Sequence, residues 1–217
     1  ELVYGSRQIN NRPIIIGSGP AGLFAGLILA ENGYKPLILE RGGDVDKRTE
    51  AVNTFFSGGL FDEESNIQFG EGGAGTFSDG KLTTRIKDIR IGKVLNIFVE
   101  EGAPKEILYQ SKPHIGTDIL KVIVKKMRNR IIELGGEVRF CSKVTDILVE
   151  EGRAKAVTVN EKEVIESNII IAAVGHSARD TYRMLFEKGV RIIPKPFSIG
   201  VRIEHLQSMI DEAQYGS

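Results

Sequence analysis

The chain has 217 residues, enough for one large or two small domains, and 41% of them are apolar, so a substantial core is available. Lysine plus arginine and aspartate plus glutamate number 29 each, and this balance argues against nucleic acid or an anionic membrane surface as a partner. A single cysteine, Cys141, excludes an internal disulfide and a CxxC redox pair, and no apolar stretch approaches the length of a membrane span.

Taken in chain order, residues 1–12 read as a polar link. The chain opens on Glu1 with no charged-then-apolar leader, so it is expected to be part of a longer, cytoplasmic protein. Ile14-Ile15-Ile16 then reads as a buried strand that ends in Gly17-Ser18-Gly19-Pro20-Ala21-Gly22. An apolar helix over 20–33 follows, stopped by Asn32-Gly33, and a second strand over 35–40 closes on Glu40. Gly17 lets the chain leave the strand sharply, Gly19 lets backbone lie against a pyrophosphate, and Gly22 lets the helix pack close to the strand. Unpaired N–H groups at the helix start stabilise phosphate charge. Glu40 falls where an acid accepts hydrogen bonds from both hydroxyls of an adenosine ribose, and a carboxylate there repels a 2′-phosphate, which disfavours NADP. A lone GxGxxG is weak, but strand, turn, helix and acid in register are together specific for a dinucleotide.

Asp44 is expected to cap a helix running to Phe56, which Ser57-Gly58-Gly59 ends. Residues 60–85 read as a glycine-rich loop, Asp88 starts a helical pattern to Glu101, and Thr117–Leu134 is an amphipathic helix capped by Gly135-Gly136. Its basic run, Lys125 to Arg130, is expected to be a solvated face. Glu137–Cys141 reads as a third parallel strand that buries Cys141 as an inert thiol. Residues 143–168 change to short alternating runs separated by turns, the pattern of an antiparallel meander. Ile169–Gly175 is a fourth apolar strand, Ser177 is placed to cap a helix to Lys188, and Phe197–Ile203 reads as one more strand. A meander as crossover to the last parallel strand is, by fold-level analogy, a habit of FAD-binding domains.

A second glycine cluster, NIQFGEGGAGTFSDGKL over residues 66–82, has the density of an anion-binding nest. Together with GSGPAGLFAGLILAENG, LILERGGDVDKR, AAVGHSARDTYRML and FSIGVRIEH, it resembles a bacterial family of uncharacterised FAD-dependent dehydrogenase-like proteins. The resemblance covers nearly the whole chain and implies an α/β, Rossmann-like FAD-binding domain of glutathione reductase type, distantly similar to geranylgeranyl reductases. It implies a parallel sheet with a meander crossover over residues 13–189, a glycine-rich insertion at about 57–112, and the start of a second, truncated substrate domain at 190–217. It further implies FAD as cofactor, with Gly17, Ser18, Gly19, Pro20, Ala21 and Gly22 at the pyrophosphate and Glu40 and Arg41 at the AMP ribose. Gly73, Gly75, Thr76 and Lys81 would line the flavin side, and Val144 would meet adenine through its backbone. Ala173, Val174 and Gly175 would form the turn beneath the cofactor, where the family's usual threonine is replaced by Val174.

Among other chemical side chains, Lys81 is a candidate to stabilise a reduced flavin by charge, and Asp79 accompanies it. His114, His176 and His205 have no metal-ligand spacing, so no metal is expected, and His176 is read as a loop or capping residue. The function expected is an FAD-binding oxidoreductase acting on a small molecule, with NADH as a transient reductant. The alternatives are a non-catalytic dinucleotide-binding module and a flavin-dependent RNA-modifying protein of similar fold, the latter disfavoured by the neutral charge.

Overall fold

The structure is a computed structural model that describes residues 9–78, 80–84 and 86–216. Asp79 therefore lies outside the described residues. A four-stranded parallel sheet forms the centre: β1 (Ile14–Ile16), β2 (Leu37–Leu39), β3 (Glu137–Arg139) and, late in the chain, β7 (Ile170–Ala172), in spatial order β3-β2-β1-β7. Between β3 and β7 runs a separate antiparallel meander, β4 (Val144–Glu150), β5 (Arg153–Val159) and β6 (Glu163–Glu166). The helices are α1 (Pro20–Glu31), α2 (Val45–Phe56), α3 (Arg90–Glu100), α4 (Thr117–Glu133), α5 (Arg179–Glu187) and α6 (Gln207–Tyr215).

The period-2 alternation of the short strands divides the core into two. Ile15 and Ile38 face a helical layer in which Leu23 and Leu27 of α1 meet Ile123, Met127 and Ile131 of α4. Ile14, Ile16, Leu37 and Leu39 face the other way, onto Val144, Ile147, Val157 and Val159 of the meander and Met184 and Leu185 of α5. The result is three layers: helices, parallel sheet, meander. Strands apolar on both faces are what a parallel sheet covered on both sides requires.

Several expectations are met closely. Asp44 caps α2, its carboxylate accepting from the N–H groups of Asp46 and Lys47 at 3.0 Å each. α4 spans nearly the range read from its periodicity, with Leu134 as its C-cap followed by Gly135, whose φ is +87°. Others are corrected. Cys141 is exposed and not buried: β3 stops at Arg139, and Cys141 takes a left-handed φ of +51° in the turn into β4. The basic run on α4 is not simply solvated, because Arg128 turns inward onto buried Glu71 at 3.0 Å while Lys125 pairs with Asp46 and Arg130 with Glu31, Glu100 and Glu101. α5 starts two residues after Ser177, with Ala178 as its N-cap and no side-chain cap. Phe197–Ile203 forms no strand. Its alternating apolar residues are exposed, and no described segment runs beside it to complete a ladder, without which alternation alone gives no sheet. α6, unanticipated, follows it.

Candidate functional site

Open α/β sheets bind ligands at the C-terminal ends of their strands, in the crevice where the connections diverge. Here β1 leads at that end into Gly17, whose N–H donates to the Leu39 carbonyl of β2 at 2.8 Å. Gly17 has a φ of +101°, and a Cβ there would lie 2.7 Å from the Ala173 carbonyl oxygen just past β7. A Cβ at Gly22 would run into the Gly17 carbonyl oxygen, so this glycine lets α1 fold back against the strand it follows. α1 begins with Pro20 at its first position, has no side-chain cap, and carries no acid in its first turn. Its leading N–H groups are thus left for a ligand.

These elements open onto a cleft of about 550 Å³. Gly17, Gly19, Pro20, Ala21, Glu40, Arg41, Gly73, Val144, Ala173, Val174 and Gly175 all line it. A Cβ added at Gly19 meets no protein atom within 4 Å, so the bare face of this glycine looks into the open cleft at the start of α1. That is the fit a pyrophosphate needs.

The remaining expected residues lie off the cleft wall. Ser18 is fully buried, and both its N–H (2.8 Å) and its hydroxyl (2.7 Å) donate to one carboxylate oxygen of Glu40. Gly22, in the first turn of α1, is buried against the Gly17 carbonyl. Gly75 neighbours Leu120, and buried Thr76 gives its hydroxyl proton to the Gly73 carbonyl at 2.7 Å. Lys81 is exposed, forms an isolated antiparallel bridge with His114, and does not line the cleft.

Glu40 is 3% exposed, and its other oxygen accepts the Gly42 N–H at 2.9 Å. Three of the roughly four lone-pair positions of the carboxylate are therefore taken by the protein. The expectation that Glu40 serves both ribose hydroxyls narrows to one remaining acceptor position, held in a fixed direction by Ser18.

The second glycine cluster is closer to the first than its sequence position implies. Gly72 donates its N–H to the Ser18 carbonyl at 2.9 Å. Gly73, at φ +69°, sits so close to Pro20 that a Cβ would fall 2.7 Å from Cδ. The two glycine turns thus pack on one another and wall the same cleft. Arg48 of α2 anchors this second loop from behind, fully buried; burial lowers its guanidinium to about 10, with Glu40 and Glu71 pulling the other way, so it stays a cation at neutral pH. Nearby Glu71 is also fully buried. One of its oxygens accepts from the Val45 N–H (2.8 Å) and from Arg128 (3.0 Å), and the other has no partner among the described residues. Burial pushes this carboxyl up to about 7 against the pull of Arg128.

The sequence pointed to Arg41 at the cleft but not to the rest of its charged rim. Arg41 makes a bidentate pair with Asp180 of α5 at 3.0 and 2.9 Å, and also bonds Glu64. Lys143 bonds Glu64 and Asp180, each at 2.9 Å. Burial alone would lower the Arg41 guanidinium, but Glu64 and Asp180 more than offset it and raise it. Hydrogen bonding to Arg41, then Lys143, holds Asp180 below the usual carboxylate range. Phe69 lies under Arg41, its ring centre 5.4 Å from the guanidinium carbon, and lines the cleft with His176 and Tyr182. Phe69 directly precedes the glycines and was findable on that ground; Asp180, distant in sequence, carried no such signal.

Residues 12–72 match the family model described as an FAD binding domain. A protein of Clostridium beijerinckii, described as uncharacterized, is 54% identical over 213 residues, covering 98% of this chain and 40% of that protein. A thiamine thiazole synthase of Aeropyrum pernix is 27% identical over 198 residues, covering 85% of this chain and 61% of that protein. The chain thus spans less than two thirds of either relative. Among solved structures, that of Thermovibrio ammonificans THI4 superposes with a TM-score of 0.52 at 18% identity, covering 83% of this chain and 64% of that one. At such identity the likeness concerns the fold alone. No helix among the described residues is long and apolar enough to cross a membrane. The parallel sheet, the glycine turn at its carboxyl end and the matched family model agree: this is a Rossmann-type FAD-binding fold, and its cofactor is FAD.

Proposed function

We propose that the chain is the FAD-holding part of a flavin-dependent oxidoreductase that acts on a small molecule, with NADH as a transient reductant. The observation that carries this reading is the open space in front of Gly19, at an uncapped helix start, beside a buried acid at the end of the next strand. The N–H groups of Ala21 and Gly22 bind the pyrophosphate, and the helix dipole adds to the attraction. Glu40 accepts from a ribose hydroxyl, oriented by Ser18. Val144 and the Arg41–Asp180 rim enclose the adenine end, and Ala173, Val174 and Gly175 form the floor beneath the cofactor. Gly73 belongs to the flavin side, with Gly75 and Thr76 behind it, off the cleft wall. The flavin, when bound, supplies the electron transfer, and the protein binds, orients and shields it. Residues from 190 onward belong to a second domain that completes the substrate side.

The test is the visible spectrum of the purified protein reconstituted with FAD, recorded before and after anaerobic NADH. A yellow protein that bleaches with NADH is expected. A protein that takes up no flavin would remove the reading, and one that binds FAD but reacts with no reductant would reduce it to a binding module.

A further inference from the structure

Arg48 is an unusual use of a buried cation. Among the described residues no carboxylate bonds its guanidinium. Its Nε donates to the Asn66 carbonyl at 2.7 Å, Nη2 to Ile67 at 2.8 Å, and Nη1 to Glu71 at 2.7 Å, Gly73 at 2.8 Å and the Thr76 hydroxyl at 2.9 Å. The Gly70 carbonyl lies a longer 3.4 Å away. The planar fork with five donors is what makes such a collection possible. Phe77 closes the far side, its ring centre 4.6 Å from the guanidinium carbon. Gly70 clears the space, since a Cβ there would meet the arginine Cδ at 2.6 Å.

The geometry has a consequence on the opposite side of the loop. In a trans peptide the carbonyl and the following N–H point in opposite directions. Carbonyls 71 and 73 turned toward Arg48 therefore turn the N–H groups of Gly72 and Ala74 away from it. The first of these reaches the Ser18 carbonyl on the first glycine turn. The second belongs to Ala74, which lines the cleft beside Gly73, itself seated against Pro20.

We propose that Arg48 is a positioning residue for the phosphate end of the cleft: by gathering carbonyls behind the second glycine loop, it fixes the loop against the first glycine turn and aims the N–H of Ala74 at the pyrophosphate. The anion site is then built from two backbone turns, the start of α1 and this loop. The proposal rests on the reading that the ADP half of FAD lies on Gly17–Gly22.

The experiment is calorimetric titration of the wild-type chain, R48K and R48Q with ADP and with adenosine, which lacks phosphate. R48K keeps the charge and loses the fork; R48Q keeps some hydrogen bonding and loses the charge. For both variants ADP affinity should fall about tenfold or more, the size of one or two lost hydrogen bonds, while adenosine affinity stays within about twofold. Far-UV dichroism and the preserved adenosine affinity report an intact fold. An ADP-to-adenosine ratio unchanged from wild type overturns the proposal, as does an equal loss for both ligands. Failure of both variants to fold in saturating FAD assigns Arg48 to the fold alone and overturns it as well. If the wild-type chain itself binds ADP no better than adenosine, the assignment of the pyrophosphate to Gly17–Gly22 is what fails.

Discussion

The two glycine turns that wall the cleft are built on opposite principles. The first, Gly17–Gly22, is suspended between a strand and a helix, and its geometry is set chiefly by regular structure: the Gly17 N–H bonds to β2, and α1 closes on it without a side-chain cap. The side chain that grips it, Glu40, comes from the adjoining strand end and, of this turn, holds only Ser18. The second, Gly70–Thr76, has only a single 3-10 turn of its own, and one side chain from another helix holds it. Regular structure makes the first turn a property of its own thirty or so residues. The second is a property of a contact between segments, and a contact has weaker sequence signature than a period.

Substitutions should expose this difference, the largest effect coming from the first turn. Gly22→Val places atoms inside the Gly17 carbonyl and should cost about 3 kcal/mol or more by forcing α1 off the sheet, whereas Gly19→Val points into the open cleft and should leave the thermal midpoint near wild type while abolishing FAD retention. Finding that Gly19→Val destabilises as much as Gly22→Val, or that it still purifies with a full complement of flavin, would undo the distinction between a packing glycine and a ligand-facing one.

The next effect belongs to the second turn and is a matter of pH. The Glu71 carboxyl is raised by burial from 4.5 to about 7 in the folded protein, with Asp44 and Glu40 adding to the rise and Arg128 and the Val45 N–H opposing it. A folded value above the unfolded one means that the folded state holds the proton more tightly. The associated stability is fully present below 4.5 and is lost as pH rises through about 7, at up to about 1.4 kcal/mol per pH unit. Glu71→Gln should flatten this decline and be the more stable protein at pH 8; thermal midpoints of both proteins between pH 5 and 8 measure it. Parallel curves for the two would rule out Glu71 as the source.

Glu40→Gln comes next. It replaces a charged acceptor by a neutral one and sets an amide NH₂ where the protein offers another donor. FAD should bind about ten- to a hundredfold more weakly, read by fluorescence quenching or calorimetry. An unchanged affinity would show that Glu40 serves only to fix Ser18. The smallest effect is expected at the rim: Asp180→Asn breaks the pair with Arg41, but the aspartate side chain is 47% exposed, and loss of about 1 kcal/mol or less is expected from denaturant unfolding. A loss several times larger would mean that α5 is held to the cleft chiefly by this pair.

What the sequence made legible follows the same division. The β1–α1–β2 unit, the Asp44 cap, the amphipathic α4 and the meander are each written in a period or a punctuating residue within a short window. The role of Arg48 was not legible, because its partners are backbone carbonyls, which every residue carries. Nor was the Arg41–Asp180 pair, for nothing local marks two charges that meet across the fold. Phe197–Ile203 shows the converse failure: a clear alternation with no neighbouring strand among the described residues. Cys141 was misplaced by extending a strand two residues into a turn, the error to which element ends are most prone.

The pairing of Ile14 with Ile170 sets the order in which this domain assembles. β1 leaves the ribosome well before the neighbour it waits for, which emerges only after both the helical insertion and the meander. During that interval one edge of β1 is unsatisfied, and its apolar side chains lack their full cover. Closing so long a loop must precede the contacts that reward it, so refolding should be slow for a domain of this size, with a transient species prone to self-association. Because Ala173 follows β7 directly and abuts Gly17, the floor of the cleft arrives in the same late event. Cofactor capture thus belongs to the end of folding, when the last strand docks.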